Sequence, residues 1–137
     1  MATKVLDSWA LIAFFEDEAA AEVVEKLLQQ AAAEKHKLLM SVVNWGEVYY
    51  NTMREVSQEA AEQKAREIAT LPIDIVGVSD DLQLVREAAK LKATKKMAYA
   101  DCFAAALAKL RNAELVTGDP EVGAVEKEIK INWLKSD

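Results

Sequence analysis

Five short apolar runs, KVLDS at 4–8, KLLMS at 37–41, PIDIVGV at 72–78, ELVTG at 114–118 and KINWL at 130–134, alternate with longer stretches of helical periodicity. Strands joined through helices must cross over and run parallel, and the crossover helices then cover the faces of the sheet. The alternation predicts an α/β chain with a parallel sheet between helical layers. In such sheets ligands gather outside the carboxyl ends of the strands. The residues that end each run therefore bear most directly on function.

The intervening stretches read as helices for separable reasons. SWALIAFFEDE follows the first run, and EDEAAAEVVEKLLQQAAAEKH carries Ala20, Val23, Val24, Leu27, Leu28 and Ala31 at the spacing of one helical face. Ser41 is placed to cap VVNWGEVYYNTMREV, and Ser57 with Glu59 opens a helix running to about Thr70. Ser79, Asp80 and Asp81 put caps and negative charge ahead of LQLVREAAKLKATKK, which suits the positive end of a helix dipole. YADCFAAALAKLRNA is a further helix, and DPEVGAVEKE a turn with a short helix. With four Gly, two Pro and no Ser-, Gly- or Pro-rich linker, residues 1–137 are expected to form a single domain.

Composition removes several chemistries. One cysteine, Cys102, and one histidine, His36, provide neither a disulfide nor an ordinary zinc ligand set. A Ser-His-Asp or Cys-His mechanism would have to use His36, which reads as part of an exposed helix end among Glu34, Lys35 and Lys37. Cys102 reads as packing. A net charge of −6 argues against a general nucleic-acid coat. It leaves a nuclease open, because cations held by acids invert the local field. Asp7 interrupts the apolar N-terminal run and Glu16, Asp17 and Glu18 follow where a signal cleavage site belongs. No run approaches the roughly twenty uncharged residues of a membrane span. A soluble, cytoplasmic protein without a membrane partner is expected, with chemistry resting on carboxylates.

Among 23 acidic residues, those in awkward or privileged positions stand out. Asp7 ends the first strand, where it either serves a pocket or caps the next helix. Asp101 has Met97, Ala98, Ala104 and Ala105 as helical neighbours, so its carboxylate lies along an apolar, small-residue face. A lone buried carboxylate is costly unless paired, hydrogen-bonded or metal-bound; backbone amides near the helix start are the alternative partners. Asp119 follows the fourth strand in TGDP, a turn composition, at the same sheet edge as Asp7. Glu47 is less clear. An apolar stripe through Val42, Trp45, Val48 or Tyr49 and Met53 leaves it on a solvated flank with Asn44, Tyr50 and Asn51, although Gly46 beside it suggests a close backbone approach. Trp9, Trp45, Trp133 and the Phe14–Phe15 pair read as core or interface, while Lys95 and Lys96 read as a charged helix end or phosphate contacts.

Taken in order, the Asp of VLDSWALIAFF, the Glu of NWGEVYY, the Asp of AYADCFAAALA and the Asp of LVTGDPE resemble the PIN-domain family, most of all the VapC-type toxins of prokaryotic toxin–antitoxin pairs. The resemblance spans nearly the whole chain. It implies a three-layer α/β/α sandwich with a mainly parallel central sheet, and an acidic pocket that binds Mg²⁺ or Mn²⁺ and cleaves RNA. Carried over residue by residue, Asp7, Glu47, Asp101 and Asp119 become the catalytic and metal-binding set. Ser8 and Thr117 match positions where the family often carries a hydroxyl, and Glu121 its trailing acidic position, all held as auxiliary. Val122 replaces an aromatic that often follows. Glu47 can join the pocket only if its helix turns the polar flank inward. A cognate antitoxin and a homodimer are further implications.

Two other readings remain open on sequence. A receiver-like phosphoacceptor domain also gathers acids at strand ends and would use Lys135, but the first strand supplies one Asp rather than an acidic pair. A non-catalytic binding module would keep the fold with its acids merely solvated or structural.

Overall fold

A computed structural model describes residues 2–16, 18–78 and 82–135. Strands β1 (Ala2–Leu6), β2 (His36–Ser41), β3 (Asp74–Val76), β4 (Glu114–Thr117) and β5 (Ile131–Trp133) form one sheet in the order β3-β2-β1-β4-β5. Every pairing is parallel, with Val5 facing Leu39 on one side and Leu115 on the other. The connections are helices: α1 (Ser8–Phe15), α2 (Ala21–Ala32), α3 (Val42–Glu55), α4 (Gln58–Ala69), α5 (Gln83–Thr94) and α6 (Tyr99–Leu110), with a 3₁₀ segment at Pro120–Val125.

Alternate residues of a strand point to opposite faces, and this parity divides the core. Val5, Leu39 and Leu115 pack with Leu84, Ala88 and Leu91 of α5 and the buried run Cys102–Ala108 of α6. Leu6, Leu38, Met40 and Val116 face the other way, onto Leu11, Val24, Leu27, Leu28, Val48 and Ile68. Each fully buried Leu or Val contributes about 1.5–3 kcal/mol, so both faces of the sheet are strongly anchored. The result is the expected three-layer α/β/α sandwich. Helix α6 is buried nearly all round, and its alanines allow close approach to the sheet.

Several expectations need correction. The second helix ends at Ala32, four residues before His36. Glu34 takes a left-handed φ of 61°, and the N–H groups of Glu34 and Lys35 close on Ala31 O and Gln30 O at 2.9 Å each. His36 thus opens β2 and is buried, its Nε2 lying 3.0 Å from Leu27 O, rather than in an exposed helix end. The first strand stops at Leu6 because Asp7 already caps α1. The third covers only Asp74–Val76. The expected stripe on α3 holds only in its middle, where Val48 is buried and Trp45 packs against the core; its ends, Val42 and Met53, are 38% and 47% exposed, and Asn44 is buried instead. Trp133 lies outside the core, 41% exposed, and donates to Glu126 at 3.3 Å. Ser41 and Ser57 cap α3 and α4 as expected. The proposed caps Ser79, Asp80 and Asp81, like Asp17, lie outside the described residues. The strand order also departs from the 2-1-3-4-5 arrangement of receiver-type sheets, which removes the support for that reading.

Candidate functional site

The capping role open to Asp7 is the one its backbone and hydrogen bonds show. With extended backbone (φ −93°, ψ 179°) it caps α1, its Oδ1 accepting from Ala10 N–H at 2.9 Å. Its Oδ2 accepts from the hydroxyl of Thr117, the last residue of β4. That hydroxyl oxygen in turn accepts from Asp119 N–H at 3.0 Å, so one Thr side chain fixes two acidic positions. Gly118 is required between them: a Cβ there would fall inside the Trp9 indole, which lies against the turn. Asp119 then caps the 3₁₀ segment, accepting from Glu121 N–H at 2.9 Å, with Pro120 in the first turn.

Asp101 sits in the first turn of α6 and is 6% exposed. Glu121 reaches back to accept from Ala98 N–H, ahead of the same helix. Asp101, Asp119 and Glu121 each place a carboxylate oxygen within 4.8 Å of the others. Asp7 and Glu47 are not in this closest set. Asp7 is wholly buried, whereas Glu47 shares with the trio a cleft of about 200 Å³ whose lining also includes Ser8 and Trp9. The Ser8 hydroxyl donates to Glu47 Oε1, and Tyr50 donates to Oε2 at 3.4 Å. Glu47 is half-buried, not on a solvated flank as its periodicity suggested, because α3 presents its polar side to the cleft.

Burial and crowding of like charge hold protons in this site. Desolvation raises Asp7 from 3.8 to about 7 against the pull of its bonds to Thr117 and Ala10, with the charges of Asp119 and Glu47 adding to the rise. Asp101 rises from 3.8 to about 8, chiefly through burial, then through Asp119, Asp7 and Glu121. These acids cannot all ionise at neutral pH without a cation. The donor set is oxygen only, which fits a hard divalent ion such as Mg²⁺ or Mn²⁺.

One site-building residue escaped the sequence reading. Asn44 is 0% exposed and donates from Nδ2 to Ala100 O at 3.1 Å, tying α3 to α6 next to Asp101, while its Oδ1 has no protein partner. Its place one helical turn before Glu47 is the only signal that pointed to it. Neither Lys95 nor Lys96 lines the cleft, and Lys95 pairs with Glu128 at 3.5 Å. Val122 is fully buried, and Lys135 is exposed beyond β5.

Acids from the ends of β1 and β4 and from α3 and α6, gathered at the carboxyl edge of a parallel sheet, define a class of α/β domain built around an acidic pocket. The PIN domain family model matches residues 4–128, and the chain belongs to that family. No curated protein sequence matches it. Similar solved structures include DNA-bound VapBC from Salmonella typhimurium (16% identity, covering 96% of this chain and 98% of that one, TM-score 0.71). VapBC2 from Rickettsia felis, bound to a DNA fragment from its promoter, is similar at 15% identity over 97% and 99% of the two chains, TM-score 0.70. Mycobacterium tuberculosis VapC20, a Sarcin-Ricin loop cleaving toxin, is similar at 14% identity over 89% and 94%, TM-score 0.68. At these identities the likeness is one of fold. Among the described residues no helix is long and apolar enough to cross a membrane.

Proposed function

We propose that this chain is a metal-dependent endoribonuclease, the VapC-type toxin of a type II toxin–antitoxin pair, acting in the cytoplasm as a homodimer restrained by a cognate antitoxin. Residues 1–137 form one PIN-like domain in this reading. Asp7, Glu47, Asp101 and Asp119 are the catalytic and metal-binding set, with Ser8, Thr117 and Glu121 auxiliary. The observation that carries it is the convergence of Asp101, Asp119 and Glu121 within 4.8 Å, in a cleft shared with Glu47 and backed by buried Asp7. Family membership and structural neighbours named as VapBC complexes and as a loop-cleaving toxin support the same reading.

Mg²⁺ or Mn²⁺, held by these carboxylates, would supply Lewis-acid activation of water and of the scissile phosphodiester. The protein's part is to fix the acids. Ser8 orients Glu47, Thr117 orients Asp7 and the Asp119 backbone, and the 3₁₀ segment holds Asp119 through Glu121 N–H. Asp119 or Glu47, both at the cleft, is placed to accept a hydrogen bond from the attacking water. No histidine is needed. The test is incubation of the purified protein with structured RNA and Mg²⁺ or Mn²⁺. Cleavage is expected, abolished by EDTA and by Asp101→Asn; no cleavage with metal, or cleavage that survives both treatments, overturns the reading.

A further inference from the structure

The acidic cleft does not end at Glu47. Glu47, Tyr50, Asn51 and Arg54 occupy positions i, i+3, i+4 and i+7 of α3, which form one continuous helical face. Glu47 and Asn51 line the cleft. Beyond them, Tyr50 is 46% exposed, and the Arg54 guanidinium lies 5.0 Å from the centre of its ring. The Tyr50 hydroxyl points back to Glu47 Oε2 at 3.4 Å. The face therefore passes from carboxylate to amide and phenol to guanidinium over about 10 Å, at 1.5 Å of rise per residue.

We infer that this face is the substrate track leading out of the cleft: Arg54 binds a phosphate of single-stranded RNA next to the scissile one, and Tyr50 supports a base or ribose between them. The inference rests on the nuclease reading. Charge complementarity favours RNA as the occupant, because in a chain of net charge −6 a polyanion needs cations beside the pocket, and Arg54 is an exposed one continuous with it. The ring orients the guanidinium, and an exposed ring with an adjacent cation suits stacking without base selectivity.

The test uses the Asp101→Asn chain, which is expected to hold RNA without cutting it, and a fluorescein-labelled single-stranded RNA oligonucleotide followed by fluorescence polarisation. Adding Arg54→Ala is expected to weaken binding about fivefold or more and to lower the salt slope by about one. Tyr50→Ala is expected to weaken it by a similar factor, whereas Tyr50→Phe, which keeps the ring, stays within about twofold. Circular dichroism melts check that each variant folds. Unchanged affinity in both alanine variants, or no saturable binding in the Asp101→Asn background, overturns the inference. A change of sedimentation mass with RNA affinity unaltered would make the face a contact between copies and overturns it too. The two readings fail separately: loss of affinity in these variants, alongside wild-type protein that leaves RNA intact in Mn²⁺, rejects the nuclease and keeps the track.

Discussion

Thr117 and Asp7 stand 110 positions apart in sequence, yet the hydroxyl of the first donates to the carboxylate of the second. Because the same hydroxyl accepts from Asp119 N–H at 3.0 Å, it couples the end of β1 to the turn after β4. Thr117→Val keeps the shape and removes both bonds, leaving buried polar groups unpaired. A loss of about 1–3 kcal/mol is expected in urea denaturation, with most of it recovered in Thr117→Ser. An unchanged unfolding midpoint in the Val variant would show that the bridge adds nothing.

The raised acids set the pH dependence of the metal-free protein. Asp7 and Asp101 titrate at about 7 and about 8 when folded, against 3.8 as their ordinary value. Between these limits the folded state holds more protons than the unfolded one, so stability is greatest below about pH 4 as far as these groups are concerned, and is lost as pH rises through 7 and 8. Without divalent ions, the Tm should fall between about pH 5 and pH 8.5. Mn²⁺ should raise the Tm more at the upper end, because ligands must be ionised to bind it. A metal-free Tm that rises over this range would contradict the account.

Asp101→Asn removes the charge that burial and the neighbouring carboxylates together most disfavour. The variant should match or exceed the parent's metal-free Tm near pH 8, while losing the added stability conferred by Mn²⁺. RNA cleavage should fall by more than about 100-fold, since even outer partners of metal ligands are worth 10–100-fold. Differential scanning fluorimetry with and without Mn²⁺ separates the effects; an undiminished Mn²⁺ response would remove Asp101 from the ligand set.

Gly118→Ala places a methyl group inside the Trp9 ring. A cost of about 1–3 kcal/mol is expected from overpacking, with Asp119 displaced as the turn shifts. Trp9→Ala should relieve the clash, so the double variant should be less destabilised than the two single changes added together. Strict additivity would mean that the ring already swings clear.

The layer order and the positions of Asp7, Asp101 and Asp119 were legible because each rests on a local pattern, whereas Glu47 was reached only through the family resemblance, against its periodicity. KVLDS and ELVTG are β-forming runs that end in a carboxylate or at a turn, and Asp101 is conspicuous on an alanine face. What stayed hidden depends on contacts between distant segments. Asn44 is polar yet fully buried because α6 offers it the Ala100 carbonyl, a partner that no periodicity reveals. The same contact helps turn α3 so that Val42 and Met53 face outward and Glu47 faces the cleft. His36 was misplaced because a single left-handed residue, Glu34, reverses the chain one turn before an uninterrupted helical pattern would end. The role of Glu121 beside Asp101 likewise depends on a 3₁₀ turn that folds back on the start of α6.

The cleft draws on residues from Ser8 to Glu121, and central β1 is complete only when β4 has paired with it. A polypeptide whose synthesis stops before Asp119 carries the first three of the principal acids but neither the fourth nor Glu121. A copy abandoned before Asp119 has been translated therefore cannot assemble the acidic cleft, however well its first strands and helices have formed.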